Sequence, residues 1–297
     1  MAHASVARGL FFAGLGGVCW GFSGACAQLL TDTYDISIPW LICVRLLFGS
    51  VFFLTLAALK SPGRLRKVPK EPKLLGILVL YAVLGVLGPQ VFYLTTISFT
   101  NAGIATVMER MGLILILAIT CFKFRRVPKV REVLGVILAL VGVFLIATEG
   151  NVGHLAISPE GLICGCILAV TMVFYTVLPV RLLAEWGNFV TTGLGMLIAG
   201  ILAWVVVQPW TIAVDLTPEV IFYVALMVIA GTFCSYGFFM QGVKEAGSMK
   251  AGLMGCTEPV AATAFAAIWL GTTFAPPVLV GIVLIIVMIF LVQGSEE

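Results

Sequence analysis

Four ionisable side chains lie inside long apolar stretches of this chain: Arg45, Glu109, Arg110 and Glu258. Glu109 and Arg110 are neighbours within NAGIATVMERMGLILILAIT, residues 101–120, and Glu258 falls within KAGLMGCTEPVAATAFAAIW, residues 250–269. A single offset of 149 carries Ala102, Gly103 and Glu109 onto Ala251, Gly252 and Glu258. A charge at the centre of a bilayer costs about 2.5–3.5 kcal/mol on insertion scales, so each of the four needs a partner, water or a ligand. A carboxylate there can hold an ammonium group, and a guanidinium can hold a carboxylate. At ~1.5 Å per residue, Arg45 and Glu109 both lie on the order of 10 Å below the outer ends of their helices, which makes them a candidate pair. By the same count Glu258 enters from the other side and lies roughly 15 Å in. Two structural alternatives stand beside the functional one. Glu109 with Arg45 or Arg110 can be an ion pair that fixes packing, and Glu258 can be a protonated carboxyl bonded to a backbone carbonyl.

The surroundings of the two glutamates suit a ligand or a close helix contact. On a helix the neighbours of Glu109 include Ala105, Thr106, Gly112 and Leu113, and those of Glu258 include Met254, Gly255, Ala261 and Ala262. Small residues beside an acid leave room for either. Pro259 removes a backbone donor directly after Glu258, which predicts a polar notch at mid-membrane. Pro89 stands in a similar relation to Gln90. Trp20 and Ser23, Gln90 and Tyr93, Tyr175 and Tyr236 lie at comparable depth and are the candidates to complete a cavity. Trp186, Trp204 and Trp210 read as interfacial belt residues.

The elements that must position these residues follow from composition. The chain is 61% hydrophobic and 10% charged, with a mean hydropathy of +1.15. A soluble domain carries about 25% charged residues, so this is a polytopic membrane protein. About 20 apolar residues cross the hydrocarbon core. That ruler yields ten stretches: 9–30, 37–59, 73–95, 102–122, 131–148, 160–182, 187–208, 218–241, 248–270 and 276–293. The first is too long for a signal-peptide core and lacks a small-residue cleavage site, so it reads as a span. The eight cysteines all fall in apolar runs and form no CxxC; they read as buried thiols. His3 and His154 lie in a tail and a loop and do not suggest a metal site.

Orientation follows from the loops. Lys60, Arg64, Arg66, Lys67, Lys70 and Lys73 separate spans 2 and 3, and Lys123, Arg125, Arg126, Lys129 and Arg131 separate spans 4 and 5. With ten alternating spans, Arg8, Arg181, Lys244 and Lys250 join them on one side. The opposite loops contain Asp32, Asp35, Glu149, Glu160, Asp215 and Glu219 and no basic residue. Only Arg45 and Arg110 of the 17 basic residues are then left within spans. The positive-inside rule places both termini in the cytoplasm. Ten spans divide into five plus five, residues 1–150 and 151–297, and an odd number per half makes the second half an inverted copy. Gly9, Leu10 and Phe22 match Gly161, Leu162 and Phe174, and Gly88 matches Gly237. The expected fold is therefore an all-α membrane protein of ten transmembrane helices in two inverted five-helix repeats.

Several motifs also carry a resemblance. Trp20-Gly21 in span 1, Pro39 to Arg45 in span 2, Asn101-Ala102-Gly103 entering span 4 and Thr257-Glu258-Pro259-Val260 in span 9 resemble the ten-span EamA family of the drug/metabolite transporter superfamily, over essentially the whole length. The chain departs from the family pattern at two places. Cys121 to Phe124 and Leu270 to Thr273 stand where a Leu-Gly-Glu-like turn is usual, and Glu109 to Gly112 replace the usual proline of span 4. The resemblance implies two EamA-type repeats, a cavity lined by spans 1, 3, 4, 6, 8 and 9, and export across a cell (plasma or inner) membrane. With the intramembrane charges it gives the expected function: a secondary-active or facilitative transporter of small polar metabolites, amino acids or related zwitterions, working by alternating access. The expected substrate-binding residues are Glu109, Arg110, Arg45, Glu258, Trp20, Gln90, Tyr93, Tyr175 and Tyr236. The alternative is an organic cation such as a quaternary amine, held by Trp20, Tyr175, Tyr236 and Glu258, with proton coupling open in either case. The spans contain no histidine, aspartate or HExxH and the chain has no GxxxxGK[ST], so neither an enzyme nor an ATP-driven pump is expected. No cofactor, metal or nucleic-acid partner is expected either. The partners are the small-molecule substrate and the lipid bilayer, and the protein is read as a monomer or homodimer.

Overall fold

In a computed structural model the described residues are 2–99, 102–151, 158–270 and 275–293. Asn101, His154 and Gly271 to Thr273, singled out above, lie outside them. The described chain is helical throughout, with no strand among those residues. The helices are α1 (Ala2–Tyr34), α2 (Ile38–Lys60), the short α3 (Pro62–Leu65), α4 (Pro72–Leu80), α5 (Gly88–Phe99), α6 (Ala102–Lys123) and α7 (Val130–Thr148). After a connection come α8 (Pro159–Val177), α9 (Pro179–Glu185), α10 (Gly187–Val207), α11 (Pro218–Val228), α12 (Ser235–Ala246), α13 (Ser248–Met254), α14 (Thr257–Leu270) and α15 (Pro276–Gln293).

Helix starts are written locally. Proline stands in the first turn of α2, α3, α4, α8, α9 and α11, where its missing N–H costs nothing. Ser158 and Thr217 cap α8 and α11 by accepting from the backbone N–H groups of Gly161 (3.1 Å) and Val220 (3.3 Å). Six helical stretches are long and apolar enough to cross a membrane by length and composition: Val6–Thr31, Ile38–Lys60, Pro72–Thr96, Pro159–Glu185, Gly187–Val207 and Pro218–Ala246. Their outward faces are apolar. Phe48, Val51 and Phe52 on α2, Leu162 and Ile163 on α8, and Val205 and Val206 on α10 are all exposed, as are Val280, Val283 and Val287 on α15. Contiguous exposed apolar surface of this extent fits hydrocarbon and not water.

Three of the long rods are not uniform. Between α4 and α5 the chain winds as a π-helix over Tyr81–Leu87, and between α11 and α12 it does so over Ile229–Cys234. The offset of 149 carries the first segment onto residues 230–236, so the two widened turns fall at matching places in the two halves. Such turns weaken the i→i−4 ladder and are frequent at functional sites. The third irregularity separates α13 from α14, where the helix breaks at Gly255–Cys256.

Packing between the halves has the same symmetry. α1 packs most extensively on α12 and α14, and α8 packs on α5 and α6. α2 lies on α10 and α7 on α15. Exchanging the first five rods for the second five leaves this pattern unchanged. At one end of the bundle Trp186 Nε1 donates to Glu71 Oε2 (2.8 Å), Lys60 sits over the Phe189 ring, and Ser248 Oγ donates to the Thr176 carbonyl (2.8 Å). Trp204 and Trp210 are exposed and pack on each other, as expected of belt residues, but Trp186 is fully buried. Glu71 satisfies its indole N–H, which lets a tryptophan at the turn between α9 and α10 serve as core. The largest buried cluster draws on both halves, with Phe53, Tyr81, Leu182, Met196 and Phe239 among its members.

Candidate functional site

The centre of the site is built by α6 and the broken rod α13–α14. Arg110 Nη2 donates to Glu258 Oε2 at 2.5 Å and lies 3.7 Å from Glu109 Oε1. The guanidinium is nearly buried (5% exposed), Glu109 is 16% exposed and Glu258 33%, so the carboxylates and not the cation face the open side. Arg110 Nε is buried and has no hydrogen-bond partner among the described residues. Formal charge at this point is one cation against two anions.

The break at Gly255–Cys256 makes room for this cluster. A Cβ added to Gly255 would stand 3.1 Å from the Gly252 carbonyl and 3.3 Å from the Phe239 ring, so glycine relieves crowding at the broken turn beside Arg110. Thr257 Oγ1 points at the carbonyls of Met254 (2.9 Å) and Gly14 (2.8 Å), tying the start of α14 to α1. Gly21 of α1 completes that contact. Its missing Cβ would fall 2.6 Å from the Glu258 carbonyl oxygen, so only glycine allows α1 to lie this close to α14. Gly112 does the same for α6 against α8, with 2.8 Å to the Ala169 carbonyl. Glu109, Arg110, Gly112, Leu113, Ile116, Met172, Thr176, Phe239 and Gly252 line a small cavity with ≈ 10 Å³ of water-accessible volume, room for about one water.

Beside the ion pair stands a cluster of rings from four rods. Trp20 meets Phe239 at 4.9 Å, Tyr236 at 5.4 Å and Tyr175 at 6.1 Å between ring centroids. Tyr175 contacts Tyr236 (5.7 Å) and Phe239 (5.6 Å) and stacks on Tyr81 (6.5 Å). These are ordinary aromatic pair separations. Phe239 belongs to both groups and joins the rings to the ion pair. Gln90 Nε2 reaches towards Tyr236 Oη at 3.5 Å, and the Tyr175 hydroxyl is buried without a partner among the described residues. Tyr93 lies one turn beyond Gln90 on α5 and is partly buried.

Arg45 does not pair with Glu109. Its Nε donates to Thr232 Oγ1 (3.2 Å) and its Nη2 to the Gly231 carbonyl (3.3 Å), both in the π segment before α12. Equal depth put Arg45 and Glu109 level, but α2 faces α10 and the π segment of the other half and has no extensive contact with α6. Glu258, for its part, meets a guanidinium and not a backbone carbonyl. Phe239, Tyr81 and Met172 are among the participants that went unremarked in the sequence. Phe239 had a signal, since it lies three residues after Tyr236 and shares its helix face. Tyr81 and Met172 had none, being apolar-run residues like their neighbours.

An arginine from one half gripping a glutamate from the other suggests a duplicated chain, and comparison with known proteins bears on that. Residues 7–148 and again 159–293 each match the EamA-like transporter family. The chain belongs to that family. It is accordingly a transporter and a multi-pass membrane protein. The chain is also similar to the uncharacterized inner membrane transporter YicL of Salmonella typhimurium, at 27% identity over 289 residues that span 97% of this chain and 96% of the relative. A protein of known crystal structure superposes with a TM-score of 0.76 at 16% identity, over 96% of this chain and 99% of the other, which shows the shared fold.

Proposed function

We propose that this EamA-family protein is a secondary-active or facilitative exporter of small polar metabolites, amino acids or related zwitterions, in a cell (inner) membrane. In this reading ten spans form two inverted five-helix repeats, residues 1–150 and 151–297, with both termini cytoplasmic. The unchanged packing on exchange of the two sets of five rods and the matching π segments support the repeats. The basic segment around Lys60 and Lys73 shares one end of the bundle with the α9–α10 turn, which supports the orientation.

One observation carries the proposal: the Arg110–Glu258 contact, which bridges the halves inside the bundle at a broken helix, beside an aromatic cluster. An ion pair that links two rocking halves holds one closed arrangement. The ammonium group of a zwitterion can displace Arg110 from Glu258 while the halves exchange, and its carboxylate is left for another donor. Arg110 has a second carboxylate, Glu109, 3.7 Å away, to receive it when Glu258 takes an ammonium group.

A second reading has its own support. Four rings from three rods surround the space next to an excess of negative charge, which suits an organic cation without a carboxylate. A flux and thermal-shift screen of the purified protein with amino acids, amines and nucleosides side by side separates the two. Amino acids stabilising and crossing where the matching amines do not supports the first reading. Quaternary amines acting as well as amino acids replaces it with the second, and a response to nucleosides alone ends both.

A further inference from the structure

With Arg110 committed to two carboxylates, the remaining intramembrane cation is Arg45, which has no carboxylate within ion-pair distance among the described residues. Its guanidinium is partly buried and is held from one side only, by Thr232 Oγ1 and the Gly231 carbonyl. The π winding of Ile229–Cys234 offers that carbonyl sideways, and Ser235 Oγ donates to it as well (2.5 Å). Ser23 of α1 packs its side chain directly against Gly231; the residue is 2% exposed, and its hydroxyl has no hydrogen-bond partner among the described residues. A buried hydroxyl without a partner costs about 1–3 kcal/mol unless something else satisfies it. Two donors from different rods, Arg45 on α2 and Ser23 on α1, therefore meet the same turn, and of the two only Arg45 finds an acceptor there. Ser23 lies one turn beyond Trp20 on α1, and Ser235, bonded to the Gly231 carbonyl, directly precedes Tyr236, so this turn adjoins the aromatic cluster.

From this juxtaposition we infer that Arg45 and Ser23 form an anion subsite that takes the carboxylate end of the substrate. The ammonium end then lies towards Trp20, Tyr175, Tyr236 and Glu258. The subsite rests on the zwitterion reading and deepens it: it divides the two ends of the ligand between two places and removes Arg110 from direct contact with the carboxylate. The unexplained Ser23 hydroxyl and the one-sided anchoring of Arg45 then have a single cause. A guanidinium and a hydroxyl are a fitting donor set for a carboxylate, which accepts along two oxygens.

The test uses the full-length protein in lipid nanodiscs and calorimetry with three acids, L-leucine, L-methionine and L-phenylalanine, each beside its methyl ester, which keeps the ammonium group and loses the anion. The wild type is expected to bind at least one acid about tenfold or more tighter than its ester, as a charged hydrogen bond requires. Arg45→Gln should bring that ratio close to one while leaving ester affinity unchanged, Ser23→Ala should reduce it about threefold, and Arg45→Lys should keep part of it. Acid and ester binding equally well to the wild type overturns the subsite without any variant and leaves an amine-binding transporter standing. Equal loss of both ligands in Arg45→Gln overturns it too, because the side chain then only supports packing. No binding of any of the six probes removes the zwitterion reading, and the subsite with it.

Discussion

Arg110 stands between two carboxylates of different origin, one its own neighbour and one from the other half of the chain. Removing it leaves Glu109 and Glu258 together without a cation. Breaking a buried pair from one side costs about 3–5 kcal/mol, and the one-third exposure of Glu258 puts Arg110→Gln near the lower value, about 3 kcal/mol. The double variant Arg110→Gln with Glu258→Gln should recover most of that stability and none of the flux. Thermal denaturation and proteoliposome transport measured on the same preparations check both statements. Trp20 touches three rings of the cluster, so Trp20→Leu should weaken binding of any amine-bearing substrate by about 0.5–2 kcal/mol, and Trp20→Phe by less. The sequence marked Glu109 and Glu258 as matching positions and offered Arg45 or Arg110 as a partner for Glu109. It did not show which arginine, because Arg45 and Arg110 differ only in how their rods are placed around each other. Trp186 misled for a related reason: a tryptophan near a helix end reads as a belt residue until Glu71, 115 positions earlier, is seen to accept from it.

The helices themselves were largely legible. The apolar stretches, the first-turn prolines and the caps at Ser158 and Thr217 each mark an element the structure contains. The break at Gly255–Cys256 also had a signal, in the glycine and in Pro259. The π segments had none, because Tyr81–Leu87 and Ile229–Cys234 are as apolar as the turns around them and widening the helix leaves composition untouched. Close approach of elements is where sequence and structure meet most tightly. The Trp20-Gly21 pair puts a ring into the aromatic cluster and, one residue on, a bare Cα against the backbone of α14 at Glu258. Gly21→Ala inserts a methyl group 2.6 Å from two backbone atoms that cannot rotate away. It should destabilise the protein by about 1–3 kcal/mol and displace Glu258 from Arg110. A fall in melting temperature with flux reduced further than in a glycine variant outside the site, Gly76→Ala, checks this. Gly76 is the fair control, since an added Cβ there meets nothing within 4 Å.

At the scale of the whole molecule the proposal depends on two halves of opposite sense. That orientation predicts which ends face the cell interior. Seven of the eight native cysteines lie on helical segments and Cys256, at the break between α13 and α14, is buried, so a cysteine introduced in a loop reports with little background. In intact cells an impermeant maleimide should label Asp215→Cys and leave Lys67→Cys unlabelled until the membrane is opened; the reverse pattern removes the inverted arrangement. The halves are joined across the centre by the ion pair at Glu258, and the transport proposal stands or falls there. The most direct measurement is amino-acid counterflow in proteoliposomes containing wild type or Glu258→Gln, inserted to equal levels and checked for equal melting behaviour. Abolished or strongly weakened flux in Glu258→Gln is the predicted result. Flux equal to wild type would show that Glu258 takes no part in carrying substrate and would contradict the account.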